Sequence, residues 1–335
     1  MMDAPDVRGY LVAADVGGTR IRMLLAGQNG APVARWDTHI PESDKHPHGV
    51  VRLLRAGADA MLATVPSAPL LHVTVGAPGI TDARRGVVLA APNLPGWTDV
   101  PLRDLLEAEF GVPAAIENDT NLAALGEGAA GAARGVDSFV FVAMGTGVGA
   151  GVVVDGKLLR GANGSAGEIG YLQPAGSPRQ PVRMEETGAL ERQIGGLGIE
   201  ARWREVLSGH PDADALARLR APEVFDRAGA GDPLAQEVMR WTADMLADAL
   251  LTVTLVFDPA LIVLGGGVGA HVGLCTAVTA ALQHNSMPQP KIRSSALGTE
   301  AQLRGAVATS MAALAPASSA HLRDSANLLH AAHRC

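Results

Sequence analysis

Five groups of residues have types and spacing suited to chemistry. The first is Glu117-Asn118-Asp119, which ends an apolar run from Val112 to Ile116. A helical pattern with Leu122, Ala123 and Leu125 on one side starts straight after it. A carboxylate at the junction of a strand and a helix stands where α/β proteins hold ligands. It can also simply cap the helix, as can Thr120. The second group is Asp15-Val16-Gly17-Gly18-Thr19, between the apolar runs Tyr10–Ala14 and Ile21–Leu25. Paired glycines let the backbone approach a ligand, and their N–H groups with the Thr19 hydroxyl suit phosphate oxygens. Asp15 can hold the magnesium ion of a nucleotide. A plain hairpin turn has the same signature. The third group, Gly145-Thr146-Gly147, follows the apolar run Ser138–Met144 and repeats this strand–turn–strand logic. The fourth, Gly265-Gly266-Gly267, follows the strand candidate Ala260–Leu264, and a turn without side chains there can lie against a flat adenine–ribose unit. The fifth is Glu168, a lone carboxylate among the glycines of Gly161–Gly170. No Gly-Lys-Ser/Thr follows the Gly17-Gly18 turn at the right spacing, so it is not a Walker loop, and the Gly145–Gly151 loop fails the dinucleotide fingerprint G-x-G-x-x-G.

The elements that must position these groups follow from periodicity. Helical spacing predicts helices over Val51–Val65, Leu102–Phe110, residues 120–130, Arg183–Ile194, Glu200–Leu207, two pieces within Ala213–Ala230, Pro233–Val256, Val272–His284 and Gln302–Ala315. Further strands are expected at Leu70–Val75, Val152–Val154 and Lys291–Ser295. Gly76-Ala77-Pro78-Gly79 reads as a rigid turn, and the two prolines of Ala91–Trp97 fix a loop that presents Asn93 and Trp97. Asn93 can bond a polar ligand or its own turn.

Composition narrows the classes. At 335 residues the chain has room for two lobes around a cleft. Hydrophobic content of 47% against 18% charged marks a well-buried globular protein. Net charge is −7 with no Lys/Arg cluster, which speaks against nucleic-acid and anionic-membrane surfaces. The two cysteines, Cys275 and Cys335, exclude a disulfide scaffold and a cysteine-rich zinc site. The N-terminus has no signal-peptide pattern and no apolar run is long enough to span a bilayer, so the expectation is cytoplasmic.

In order, Asp15–Thr19, Gly76–Gly79, Glu117–Asp119, Gly145–Gly151 and Gly265–Gly267 resemble the ROK family of sugar kinases and repressors, within the hexokinase–actin superfamily. P-N-L-P-G-W, E-N-D-T-N-L-A-A-L-G-E and G-K-L-L-R-G-A-N-G-S-A-G-E-I-G carry the resemblance, which spans roughly residues 9–315. It implies an α/β fold, two-lobed and hexokinase/actin-like with a hinged cleft. The small lobe would comprise 1–120 plus 300–315 and the large lobe 121–299, with 316–335 a tail. By resemblance Asp119 matches the catalytic base and Asn118 a sugar ligand. Glu168 and Glu185 match glutamates that hold sugar hydroxyls, and Gly79 and Asn93 lie in sugar-lining segments. Gly17, Gly18, Thr19, Gly145, Thr146, Gly147, Gly265, Gly266 and Gly267 match nucleotide-binding turns. ATP and Mg2+ are the implied cofactors and a homodimer the implied assembly.

The chain departs from the family after G-E-I-G. Relatives have a zinc-binding histidine there, followed by a three-cysteine run. Here Tyr171 takes the histidine's place and Leu172–Met184 holds no cysteine, so no structural zinc is expected. Tyr171 can still bond a sugar hydroxyl, and Glu186 is an alternative to Glu185. The reading is an ATP-dependent hexose kinase, most simply glucose to glucose 6-phosphate. N-acetylhexosamine or fructose kinases are alternatives, and a catalytically silent sugar sensor is one of another class. Family repressors carry a DNA-binding segment ahead of the first glycine turn. Only fourteen residues, not basic as a group, precede Asp15, so DNA binding is not expected.

Overall fold

The computed structural model describes residues 8–91, 94–178, 181–183, 186–283 and 289–315. Asn93, Glu185 and the tail 316–335 lie outside them. In chain order the strands are β1 (Tyr10–Val16), β2 (Arg20–Gly27), β3 (Pro32–His39), β4 (Leu70–Ala77), β5 (Ile80–Asp82), β6 (Val87–Ala90), β7 (Thr98–Val100) and β8 (Ala114–Asn118). They continue with β9 (Phe139–Met144), β10 (Val148–Val154), β11 (Lys157–Leu158), β12 (Leu261–Gly265) and β13 (Lys291–Ser294). One sheet runs β3-β2-β1-β4-β8 and another β11-β10-β9-β12-β13; β5-β6-β7 form a small third. In both large sheets the first three strands pair antiparallel, and the next two join the first in parallel. The repeated strand–turn–strand pattern of the sequence is thus the start of a repeated sheet.

Continuous apolar runs make the central strands, since each is covered on both faces. All seven residues of β1 are buried, as are all five of β12. One apolar core joins the first sheet to helices Pro47–Leu62 and Leu102–Phe110. A larger one joins the second sheet to Gly196–Val206, Ala221–Gly229, Pro233–Phe257 and Val272–Leu282. Met239, Thr242, Leu246, Leu250 and Thr254 form the buried stripe of the long helix, as their spacing predicts.

Several expectations are corrected. Trp97 is not presented to a ligand: it is core, and its indole N–H donates to the Lys45 carbonyl at 2.7 Å. Gly76-Ala77 continues β4 rather than turning. The helix expected over Arg183–Ile194 is only Glu191–Ile194. The edge strand β3 is not anticipated because none of its eight residues is buried, and β5 to β7 are not because three- and four-residue segments carry too little periodicity.

Helix Ala301–Leu314 returns to the first sheet and crosses helix Asp119–Ala130. The crossing is glycine on glycine. A Cβ on Gly305 would stand 1.8 Å from the Leu122 carbonyl oxygen, and one on Gly126 would stand 2.1 Å from that of Ala301. Beside it a buried polar group joins β4 to the returning helix. Ser310 Oγ lies 2.7 Å from Thr74 Oγ1 and 3.0 Å from His72 Nδ1. No helix among the described residues is long and apolar enough to cross a membrane.

Candidate active site

Three neighbouring strand ends carry the first acids. In parallel register Asp15 of β1 faces Gly76 of β4, and Gly76 faces Glu117 of β8. The chain then turns directly into helix Asp119–Ala130, whose N-cap is Asn118. The cap falls on Asn118 rather than on Asp119 or Thr120: the Asn118 Oδ1 accepts from the Asn121 N–H at 3.0 Å. Its Nδ2 donates to the Gly79 carbonyl at 2.9 Å. One amide hydrogen and one oxygen lone pair therefore remain for a ligand. Gly79 has φ +80°, and a Cβ there would lie 2.1 Å from the Ala90 carbonyl oxygen, so only glycine holds this bend.

Asp119 is half-buried, with its two oxygens unequally engaged. Oδ1 accepts from the Thr120 N–H at 2.7 Å and from the Thr120 hydroxyl at 3.2 Å. Oδ2 takes no hydrogen bond from any described residue. Loss of solvent, followed by the negative charge of Asp15, pushes the Asp119 pKa up to about 6. Asp15 itself is raised by burial, against the pull of Arg22. Arg22 is its cross-strand partner on β2, at 3.1 Å from Nε to Oδ2. The same guanidinium donates to the Thr299 carbonyl at 2.9 Å.

Glu168 approaches from the second sheet. Its loop is fastened to β10 by the Ala150 N–H, which donates to the Gly167 carbonyl at 2.8 Å. Burial, then the charges of Asp119 and Glu191, push its pKa up to about 7. Glu191 is the acid that the sequence reading misses. It opens the short helix Glu191–Ile194, and its Oε2 accepts from the Val148 N–H at 2.9 Å. Burial raises its pKa too. The helix expected over Arg183–Ile194 gives Glu191 no distinct place. The available signal was the flanking pair Leu190 and Ile194, four apart and both buried, which sets Glu191 at the edge of an apolar face.

The glycine turns divide. Gly17 and Gly145 spend their N–H groups closing the hairpins, on Arg20 O at 2.9 Å and on Gly147 O at 3.0 Å. The N–H groups of Gly18, Thr19, Thr146 and Gly147 meet no acceptor among the described residues. These four, rather than all six, are available to phosphate oxygens. Gly265 pairs with Ala143 at the end of β12, and Gly266 and Gly267 start a short helix. Gly267 N lies 4.0 Å from where a Gly145 side chain would begin, and nothing lies within 4 Å of where one on Gly267 would. These two turns therefore share one open face.

The comparisons with known proteins bear on this geometry. The ROK family model matches residues 11–316. The chain belongs to the ROK family. A glucokinase of Halalkalibacterium halodurans is 34% identical over 270 residues, 77% of this chain and 80% of that protein. The structure of a ROK glucokinase from Streptomyces griseus, in complex with glucose and AMPPNP, has a TM-score of 0.76 at 25% identity. It covers 90% of this chain and 99% of that one. A ROK hexokinase from Thermus thermophilus has a TM-score of 0.72 at 31% identity, over 90% of this chain and 97% of that one. The fold is accordingly the two-lobed α/β fold of the ROK sugar kinases.

Within this ROK chain, Tyr171 ends the helical turn Ile169–Tyr171, and its N–H donates to the Glu168 carbonyl at 3.2 Å. Its side chain lines a shallow recess with Gln173, Arg183, Glu186 and Arg192. Glu186, the alternative to Glu185, is exposed and paired with Arg183 at 2.9 Å. The segment closes where Gly188 packs on Gly170, and the Leu190 N–H donates to the Gly170 carbonyl at 3.0 Å.

Proposed function

We propose that this chain is an ATP-dependent hexose kinase, with glucose as the first substrate to test and glucose 6-phosphate as its product. The observation that carries the reading is the divided carboxylate of Asp119. Oδ1 is anchored by Thr120, while Oδ2 is free among the described residues beside a second acid, Glu168. The glucokinase relatives and the glucose- and AMPPNP-bound neighbour support the substrate pair.

A sugar hydroxyl is a poor nucleophile at neutral pH. Asp119 Oδ2 accepts its proton as the hydroxyl oxygen bonds to the γ-phosphorus and the bond to the ADP oxygen breaks. Glu168, Glu191 and the spare amide atoms of Asn118 present acceptors and donors to neighbouring hydroxyls. The N–H groups of Gly18, Thr19, Thr146 and Gly147 receive phosphate oxygens. Asp15 fits a phosphate-borne magnesium, which needs only one or two protein carboxylates: its Oδ1 takes no hydrogen bond from the described residues. When bound, that ion neutralises phosphate charge. The two sheets, with the returning helix beside the first, belong on this reading to lobes that close around the sugar.

A coupled assay of ADP release with ATP and magnesium, over glucose, mannose, fructose and N-acetylhexosamines, tests the reading. Turnover is expected with at least one hexose. Asp119→Ala should lose about 10²–10⁴ in kcat while still binding sugar. Retained turnover in that variant would overturn the assignment, and sugar binding without turnover in the parent chain would make it a sensor.

A further inference from the structure

Asp119 and Glu168 come from different sheets, and one ion pair links their supports. Glu117 is buried, with 2% of its surface exposed. Its Oε1 accepts from the Asn118 N–H at 3.1 Å and from Asn121 Nδ2 at 2.9 Å, which fixes the junction that presents Asp119. Its Oε2 is left for Arg160, whose Nε donates at 2.6 Å. Arg160 starts the loop that ends in Glu168. That loop is rooted on β10 at both ends, by the Leu159 N–H on the Val152 carbonyl and by the Ala150 N–H on the Gly167 carbonyl, each 2.8 Å. Its middle, Gly161–Ser165, is largely exposed. Both roots tie the loop to its own sheet, and Arg160 ties it to β8 of the other.

We propose that Arg160 and Glu117 are positioning residues: their ion pair sets the Glu168 loop in register with Asp119, so that the sugar is held with its reacting hydroxyl on the base. A charge-assisted bond to a buried carboxylate is short and directional. Misplacement of a reacting group by about 1 Å can cost about 10²-fold in rate. The role of the pair is distinct from simple neutralisation of a buried charge, because neutralisation needs a cation from anywhere, while register needs one from the Glu168 loop. The inference rests on the kinase reading of Asp119 and Glu168.

The test uses Arg160→Met, the double variant Glu117→Gln/Arg160→Met, and Arg160→Lys, with glucose or whichever hexose the parent chain turns over. In the double variant the buried charge is gone, and the amide introduced at position 117 keeps a carbonyl acceptor for the Asn118 and Asn121 donors. For Arg160→Met we expect sugar KM to rise by about tenfold and kcat to fall by about 10–100-fold, with the KM for ATP nearly unchanged. Amide exchange should quicken in 161–168 and stay unchanged in 119–130. The double variant should show the same losses, and Arg160→Lys should recover part of them. Parent-like kinetics in the double variant would overturn the proposal, because the pair would then only neutralise a charge. So would an unchanged sugar KM in Arg160→Met, or failure of the double variant to fold. If Arg160→Met alone fails to fold, the double variant carries the test. Asp119→Ala is assayed in parallel: its retained turnover would sink the assignment of the base, whereas the exchange result in 161–168 reports on the latch alone.

Discussion

A carboxylate that works as a base is most useful when its pKa lies near the working pH. Asp119, pushed up to about 6, and Glu168, up to about 7, both stand well above ordinary side chains of their type. They influence each other, so the pair titrates in two apparent steps rather than one per residue. We expect kcat/KM for the sugar to fall on the acid side with an apparent pKa near 6, which a pH–rate profile would show; a fall only below pH 4.5 would contradict this environment. The same shift has a sign in stability. A carboxyl whose pKa is raised by folding binds more protons folded than unfolded, so its contribution is full below the unfolded value and is lost as pH rises through the folded one. Asp119→Asn should therefore raise the melting temperature at pH 8, and the gain should vanish below about pH 3.8, the unfolded value. Asp119, Asn118 and Glu168 were legible as candidates because a strand end, a helix start and a glycine loop all announce themselves in sequence. Glu191 was not, since its neighbours matched a longer helical repeat than the chain forms.

At the scale of elements, two features carry testable consequences. The crossing of Asp119–Ala130 with Ala301–Leu314 has no room for a side chain at Gly305. Gly305→Ala must push the helices apart and should cost on the order of 3 kcal/mol, visible as a drop in melting temperature of roughly 1–2 °C per kcal/mol. Because the helix that moves carries Asp119, kcat should fall with it. The segment 171–190 is the second. Gly188 against Gly170, and Arg183 with Glu186, close it with backbone and ion-pair contacts, where the family pattern has cysteines. Treatment with a zinc chelator followed by magnesium replacement should leave full activity, and metal analysis should find zinc well below one per chain. A stoichiometric zinc would overturn this reading. The long helices and central strands were legible because covered surfaces impose strong periodicity. The small β5-β6-β7 sheet and the true length of Glu191–Ile194 were not, because segments of three or four residues are decided by tertiary contacts.

On the scale of the whole molecule, two sheets of one strand order bring their acids toward a shared region. The repetition was foreshadowed by the two strand–turn–strand stretches, since identical local geometry demands similar residues. The partnership of distant segments was not, because nothing local in Thr299 or Ser310 points to Arg22 or Thr74. That partnership has a bearing on how the protein is made. A chain grows from its N-terminus, and its early portions can begin to fold before the rest exists. The helix that bears Asp119 is bedded against Ala301–Leu314, which emerges close to 180 residues later. Until then its glycine face and the neighbouring Thr74 and His72 lack their covering. A nascent chain stopped before residue 301 should therefore remain protease-sensitive in 119–130, and extension past residue 314 should protect it. Assembly of the active site would then wait for residues 301–314, so that a growing polypeptide holds Asp119 in place only after that helix has emerged.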